Sequence, residues 1–323
     1  MTETDPAPIL AKWRAEQEDI ASQVISLPDG PAACSSNYQS LPIDIDDKLF
    51  GGMDISFGDN DSAVAVYVIM KNNEIVYQDH LFFHVTVPYV SSYLAFREIE
   101  PLVKLVKRQV KTHPEFTPHA ILVDGNGIFH ERRAGIACHL GVLTDIPTIG
   151  VAKKIYCMDG LTVDAVECGL QLQLKLLIEF CEEHHIGKTM QELNFIRGIV
   201  PIRPIRTGVD GEMCNKLDER NESRVNERIQ FISNLCNGFS VPIVGENDEI
   251  LASALIGHGG LIKGKGRKKA CGTKNPIFIS IGHKVSLENA IKICCGLSLA
   301  RIPEPIRQAD SIGRKLIKSK NAS

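Results

Sequence analysis

The sequence lacks several features that mark particular classes of protein. The net charge is only −3, so any attraction to a polyanion must come from a local patch. None of the ten cysteines forms a C-x-x-C pair, which argues against a zinc site. No apolar run approaches the length of a membrane span, and the first residues lack the apolar stretch of a secretory signal. These absences favour a reduced intracellular protein, cytoplasmic or nuclear.

The composition is that of an ordinary globular chain. Its 323 residues suit one large α/β domain, or one domain with an insertion. Hydrophobic residues make up 44%, which is enough for a packed core.

The stretch 121–154 carries the clearest pattern. A short apolar run ends at Asp124, a glycine cluster follows, and a helical pattern leads to a second buried-strand pattern that ends near Lys153. Strand, helix and strand predict a βαβ unit with parallel strands, so Asp124 and Lys153 are expected on one rim of the sheet. The alternative is that Asp124 only forms a turn or caps the next helix.

Two more acidic residues lie upstream. Strand patterns at 48–57, 62–70 and 74–84 predict an antiparallel meander with Asp54 in its first strand. A helical pattern follows at 92–111, and Pro101 predicts that the main helix starts only there. Glu98 then stands at the entrance of this helix, where a glutamate alone would be uninformative.

The order of elements predicts an α/β, ribonuclease H-like mixed sheet flanked by helices. In that fold the first and fourth strands are neighbours, so Asp54, Glu98 and Asp124 can converge on a divalent metal. Oxygen ligands without soft partners favour Mg²⁺, with Mn²⁺ as a substitute.

The rest of the chain is less regular. We predict one domain over 1–323, interrupted at about 158–238 by an insertion that is partly irregular or disordered. The six basic residues of 263–274 form either a solvated loop or a phosphate-contacting one. A strand at 276–281 leads to His283, which we expect on the same rim as the acids, although a histidine there is more often structural. Arg307 and Asp310 are expected to form a local ion pair.

Several blocks of the chain resemble the endonuclease V family, in its eukaryotic form. The blocks are GGMDISF (51–57), PYVSSYLAFRE (88–98), VDGNGIFHERRAGIACHLGVLTDIPTIGVAKK (123–154), PIFISIGHKVSLENA (276–290) and RIPEPIRQAD (301–310). The resemblance implies a Mg²⁺-dependent endonuclease that cuts inosine-containing RNA, single-stranded or mispaired, at the second phosphodiester on the 3′ side of inosine. For the location of the protein we expect the cytoplasm and nucleus, with the nucleolus as a further site.

The resemblance also implies roles for the acidic and basic residues. Asp54 and Asp124 match the principal metal ligands, and Glu98 matches a third acid that binds metal or its water. Lys153 matches a lysine near the scissile phosphate, and His283 matches a histidine close to the metal.

Four further residues are implied to contact the substrate. Tyr89 matches a wedge that fills the gap left by a displaced base, whereas the alternative is a core tyrosine. The turn around Gly125 and Gly127 is implied to hold the base through backbone groups, with His130 nearby.

Two other functions stay open. One is a repair nuclease specific for deoxyinosine in DNA. The other is a catalytically silent protein that only binds inosine-containing RNA, although the three acids and Lys153 argue against it.

Overall fold

The computed structural model describes residues 7–29, 45–183, 196–197, 202, 238–257 and 275–321. The predicted basic loop 263–274 and most of the predicted insertion 158–238 lie outside these residues.

The described residues form a mixture of strands and helices, as the sequence predicts. In chain order the elements are α1 Ala7–Gln23, β1 Phe50–Phe57, β2 Ser62–Lys71, β3 Glu74–His84, α2 Ala95–Thr112, β4 Ala120–Asp124, α3 Ile136–Thr144, β5 Thr148–Ala152, α4 Val163–Glu183, β6 Ile196–Arg197, β7 Gly238–Val244, β8 Ile250–Gly257, β9 Ile277–His283, α5 Leu287–Gly296 and α6 Glu304–Asn321.

The chain forms two compact units. The first takes its described residues from 7–151, 280–290 and 304–321, and the second from 152–279 and 291–303. In the first unit the strand order is β3-β2-β1-β4-β5-β9, and in the second it is β9-β8-β7-β6. The strand β9 contributes its first residues to the second unit and its last residues to the first.

Strand directions in the first unit confirm the predicted fold class. The strands β1, β2 and β3 form an antiparallel meander, and β4 pairs in parallel with both β1 and β5. The first and fourth strands are therefore neighbours, as in ribonuclease H-like sheets.

Helices cover both faces of this sheet. Side chains alternate along β1, and Met53 is fully buried in a core with α2 and α3. The opposite face packs against α6, so closely that a Cβ added to Gly52 would lie 2.2 Å from the carbonyl carbon of Pro305. Asp54 alternates with Met53 and shares this second face with Gly52.

The helix α2 starts earlier than predicted. It begins at Ala95, and Pro101 lies inside it, so the prediction of a start at Pro101 is wrong. A proline within a helix removes one backbone hydrogen bond. Here the buried stripe that includes Leu102 and Leu105 extends back to Ala95, and its burial outweighs that loss.

The predicted ion pair on α6 is also wrong. Arg307 pairs with Glu304 on its N-terminal side, and Asp310 pairs with Arg314 at 2.5 Å. Both spacings bring helical side chains together, so the sequence alone could not choose between partners. Among the described residues no helix is long and apolar enough to cross a membrane.

Candidate active site

Asp54 and Asp124 are neighbours in the sheet. Met53 is in register with Val123 on the parallel pair β1–β4, and each aspartate is the next residue along its strand. Both side chains therefore project from the same face of the sheet, at the end where β4 stops. Asp54 is 8% exposed, so this carboxylate is largely shielded from water.

Glu98 is a second buried carboxylate and interacts with Asp124. It lies in the first turn of α2 and is 8% exposed. Burial raises the pKa of Glu98 to about 7; the positive charge of Arg97 opposes this shift, and the negative charge of Asp124 adds to it. The three predicted acids thus lie in one unit, and two of them interact electrostatically.

The donor set fits a hard divalent cation. Carboxylate oxygens are the ligands that Mg²⁺ and Mn²⁺ prefer, and a buried acid with a raised pKa is stabilised by a nearby cation. Within the described residues, no three His, Cys, Asp or Glu side chains are close enough to hold one ion between them. A metal shared by Asp54, Glu98 and Asp124 therefore stays a prediction.

A further carboxylate, Asp310, lies on the helix that covers the same face. The glycines Gly52 and Gly313 mark two close contacts between β1 and α6, with Pro305 and Ser56 as their partners. Asp310 stands on α6 between these contacts. From the sequence, Asp310 is expected only as the partner of Arg307, so its position near Asp54 is not predicted. The glycines Gly52 and Gly313, which allow β1 and α6 to pack closely, could have indicated this position.

Arg97 and Phe57 form a second feature that sequence reasoning missed. The Arg97 guanidinium lies 5.1 Å from the centroid of the Phe57 ring, and this ring is 48% exposed at the end of β1. A cation stacked on an exposed aromatic ring is suited to nucleic-acid contact. Arg97 directly precedes Glu98 and brings positive charge to the acidic residues.

Tyr89 projects into solvent from the segment between β3 and α2. Its side chain is 69% exposed, so the alternative interpretation as a core tyrosine is wrong. An exposed ring on a loop is free to stack on a base. Its role as a wedge is not tested by the geometry and stays a prediction.

The glycine turn after β4 is held tightly by its neighbours. The Gly125 amide donates to the carbonyl of Val151 at 3.1 Å, and the Gly127 amide donates to Ser280 Oγ at 2.8 Å. A Cβ on Gly127 would lie 1.9 Å from the Ile281 carbonyl oxygen, so only glycine fits there. Both amides are engaged, so the predicted base contacts would need other backbone atoms of this turn.

His130 connects two segments of the backbone. It is 5% exposed; its Nδ1 accepts from the Arg132 amide at 3.2 Å, and its Nε2 lies 2.9 Å from the Ser92 carbonyl oxygen. Burial, together with the positive charge of Arg132, lowers the pKa of His130 to about 4, which keeps the ring neutral. These contacts use both ring nitrogens inside the protein and do not support the predicted substrate contact.

His283 lies away from the rim that carries the acids, so that prediction is wrong. Its Nδ1 accepts from the Ile25 amide at 3.2 Å, and its Nε2 lies 3.8 Å from Asp145 Oδ1. Asp145 precedes β5, whereas Asp124 is in register with Val151 near the end of β5.

The direction of β9 explains this placement. Ser280 and Gly150 both lie against Gly127 in the glycine turn, so these two residues are level in the sheet. Gly282 comes two residues later on β9 and packs on Thr148, which comes two residues earlier than Gly150 on β5. The strand β9 therefore runs antiparallel to β5 and carries His283 toward the start of β5. There, burial and the neighbouring Lys284 lower the pKa of His283, and Asp145 opposes this shift.

Lys153 follows directly after β5 and belongs to the second unit. Its carbonyl oxygen accepts from Arg301 Nη2 at 2.5 Å, and Arg301 also donates to the carbonyls of Asn275 and Pro276. These bonds fix the backbone at Lys153. The predicted role of its side chain near the scissile phosphate stays a prediction.

A ribonuclease H-like sheet with paired aspartates on its first and fourth strands defines a class of α/β nucleases. The endonuclease V family profile matches residues 35–194 and 250–311. The chain is 30% identical to human endonuclease V over 317 residues, which covers 97% of this chain and 85% of the human protein. It belongs to the endonuclease V family and is a nuclease.

Two solved structures agree with this assignment. The catalytic domain of human endonuclease V matches with a TM-score of 0.66 at 28% identity, covering 98% of this chain and 99% of that one. Endonuclease V of Ciona intestinalis, in complex with a 24mer DNA that contains an inosine followed by a ribo-adenosine, matches with a TM-score of 0.61. That match has 27% identity and covers 97% of this chain and 99% of the Ciona chain.

Proposed function

We propose that this protein is a metal-dependent endoribonuclease specific for inosine. It cleaves single-stranded or mispaired RNA at the second phosphodiester on the 3′ side of inosine, and it acts in the cytoplasm and nucleus, including the nucleolus. The observation that carries the proposal is the placement of Asp54 and Asp124 side by side on one face of two parallel strands.

The carboxylates of the first unit supply the chemistry. Asp54 and Asp124 are the residues that would hold Mg²⁺ directly, with Mn²⁺ as a substitute. Glu98 is the third acid, which would bind the metal or its water, and Asp310 is an additional candidate. When bound, such a cation lowers the pKa of a water ligand and offsets charge on the attacked phosphate. Burial raises the pKa of Glu98 to about 7 without a cation, so a bound cation would favour the charged carboxylate that holds the metal or its water.

Other residues bind and orient the nucleic acid. The exposed Tyr89 ring stacks where the inosine base has left its neighbours. Arg97 offers a cation for phosphate, and Phe57 offers a second aromatic surface. Lys153 stabilises the negative charge that develops at the cleaved phosphate.

The proposal of RNA rather than DNA as the substrate is supported by the nucleic acid bound in a relative's structure. The Ciona complex contains a ribo-adenosine directly after inosine. This arrangement supports a requirement for a ribose on the 3′ side, where the 2′-hydroxyl distinguishes RNA from DNA. A deoxyinosine-specific nuclease is the second candidate, because the remainder of that bound strand is DNA.

A parallel cleavage assay separates the two candidates. Matched RNA and DNA strands, each with a single inosine or deoxyinosine, are incubated with the protein and Mg²⁺. Cleavage of the RNA with much slower cleavage of the DNA is expected, and a DNA strand with one ribonucleotide after deoxyinosine should be cut like RNA. Cleavage of the DNA with the RNA spared would assign the protein to DNA repair.

A further inference from the structure

The loop that carries Tyr89 ends in a strained turn. The amide of Tyr93 donates to the carbonyl of Val90 at 3.1 Å, which closes a turn over residues 90–93. Ser92 is the third residue of this turn and has a φ of 68°, a conformation that favours glycine. Because serine does not prefer this conformation, contacts outside the turn must stabilise it.

These contacts converge on one atom, the carbonyl oxygen of Ser92. Gln17 Nε2 donates to it at 2.8 Å and Arg132 Nη2 donates at 3.0 Å, while His130 Nε2 lies 2.9 Å away. The Nδ1 atom of His130 accepts from the backbone, so its Nε2 carries the proton and donates as well. Three segments of the chain therefore meet at this oxygen.

Gln17 joins these segments because both ends of its amide are used. Its Oε1 accepts from Arg132 Nε at 2.5 Å, while its Nε2 donates to Ser92. The Gln17 side chain is fully buried. The Arg132 guanidinium lies 4.3 Å from the centroid of the Tyr93 ring, next to Ser92.

An aromatic cluster holds α1 in place beside this network. Trp13 stacks on Phe96 with ring centroids 5.2 Å apart, and it contacts Tyr93 at 5.8 Å. Trp13 and Gln17 are four residues apart and share one face of α1. This helix lies far in sequence from the acidic residues, yet it fixes the backbone three residues after Tyr89.

We propose that Gln17 of α1 is a positioning residue, which, with Arg132 and His130, orients the Tyr89 loop for engagement of inosine-containing RNA. The inference rests on the proposed function, in which Tyr89 stacks in place of the displaced base. Gln17 contacts no substrate; it acts through the Ser92 carbonyl. Its loss lets the turn relax and moves the Tyr89 ring away from its binding position.

Kinetics of two Gln17 variants test the proposal. Gln17→Met keeps the length of the side chain and removes both polar ends, whereas Gln17→Glu keeps the acceptor for Arg132 and removes the donor to Ser92. Both should raise KM for an inosine-containing RNA about tenfold, the effect of losing a buried hydrogen bond to a charged network, with kcat preserved. Gln23→Met is the matched control, because Gln23 is exposed on α1 and donates to Asp19 of the same helix. An unchanged KM, or a loss confined to kcat, would overturn the proposal.

A double-mutant cycle with Tyr89→Ala excludes a general loss of stability. If Gln17 acts through the Tyr89 loop, Gln17→Met should add little to the KM of Tyr89→Ala. Full additivity would refute the proposed route.

Amide hydrogen exchange gives an answer that does not depend on cleavage. In Gln17→Met, and in Gln17→Glu should the first variant fold poorly, residues 88–94 should exchange faster while β1 and β4 keep their protection. Unchanged exchange in 88–94 would contradict the inference even if the protein cleaves inosine. Failure of the wild-type protein to cut any inosine strand would instead reject the proposed function.

Discussion

Glu98 shows how one buried carboxylate couples stability to pH. An ordinary glutamate has a pKa of 4.5, whereas burial raises that of Glu98 to about 7. Between these values the folded state binds more protons than the unfolded state, so its stability falls as pH rises from about 4.5 to about 7. Above that window the folded protein carries a buried charge.

We therefore expect Glu98→Gln to stabilise the protein at pH 8 in the presence of a chelator. The gain should be on the order of 1–3 kcal/mol and should vanish below pH 4.5, as measured by denaturant unfolding across pH. Glu100→Gln, an exposed carboxylate on the same helix, is the control and should show no such window. The same gain at pH 4 and pH 8 would contradict the account.

A substitution of Asp124 distinguishes cleavage of the RNA from binding of the RNA. We expect Asp124→Asn to reduce cleavage of inosine RNA by at least about a hundredfold, because the amide is a poor ligand for a hard cation. Binding of the same RNA, measured by fluorescence anisotropy without metal, should change little. A protein that only binds inosine RNA would show no metal-dependent cleavage in either form, and a variant that cleaves normally would remove Asp124 from the site.

The contacts of His130 could not be predicted from the sequence. Sequence proximity to the glycine turn suggested that His130 contacts the substrate, yet both ring nitrogens are bonded within the protein. One of these hydrogen-bond partners is Ser92, which is distant in sequence, so the contact depends on how the loop after β4 folds. By contrast, the exposure of Tyr89 agrees with the stacking role predicted for it.

The strands show which elements could be predicted. Apolar runs and turn residues were enough to predict β1 to β5. The ribonuclease H-like order of these elements then predicted the pairing that brings Asp54 beside Asp124. The direction of β9 could not be predicted, because a buried strand has the same pattern whichever way it runs. His283 was misplaced for that reason, since its position depends on this direction.

The packing of α6 on β1 is a second long-range feature. A Cβ at residue 52 would overlap the backbone of Pro305, so Gly52→Ala should push α6 away from the sheet. We expect a loss of about 1–3 kcal/mol in unfolding free energy and a lower cleavage rate, because Asp54 and Asp310 follow this contact on β1 and α6. Ser319→Ala, at an exposed position of α6, should leave both unchanged, and a neutral Gly52→Ala would show that the contact relaxes freely.

At the scale of the whole molecule, the fold gathers distant acidic residues into one unit. Residues 54, 98, 124 and 310 span most of the chain, yet all belong to the unit that contains β1 and β4. Helices on both faces bury the sheet and shield Asp54 and Glu98 from water. The sequence order of strands and helices was sufficient for this part of the fold, whereas the arrangement of the second unit depends on long connections with weak patterns.

The most direct measurement is a map of the cut site on one RNA strand that carries a single inosine, with an adenosine strand as its control. With Mg²⁺ the wild-type protein should cut the inosine strand once, at the second phosphodiester on the 3′ side of inosine, and should leave the control intact. Asp54→Asn and Asp124→Asn should each abolish that band. Equal cleavage of both strands, or cleavage that persists without Asp54 and Asp124, would contradict the account.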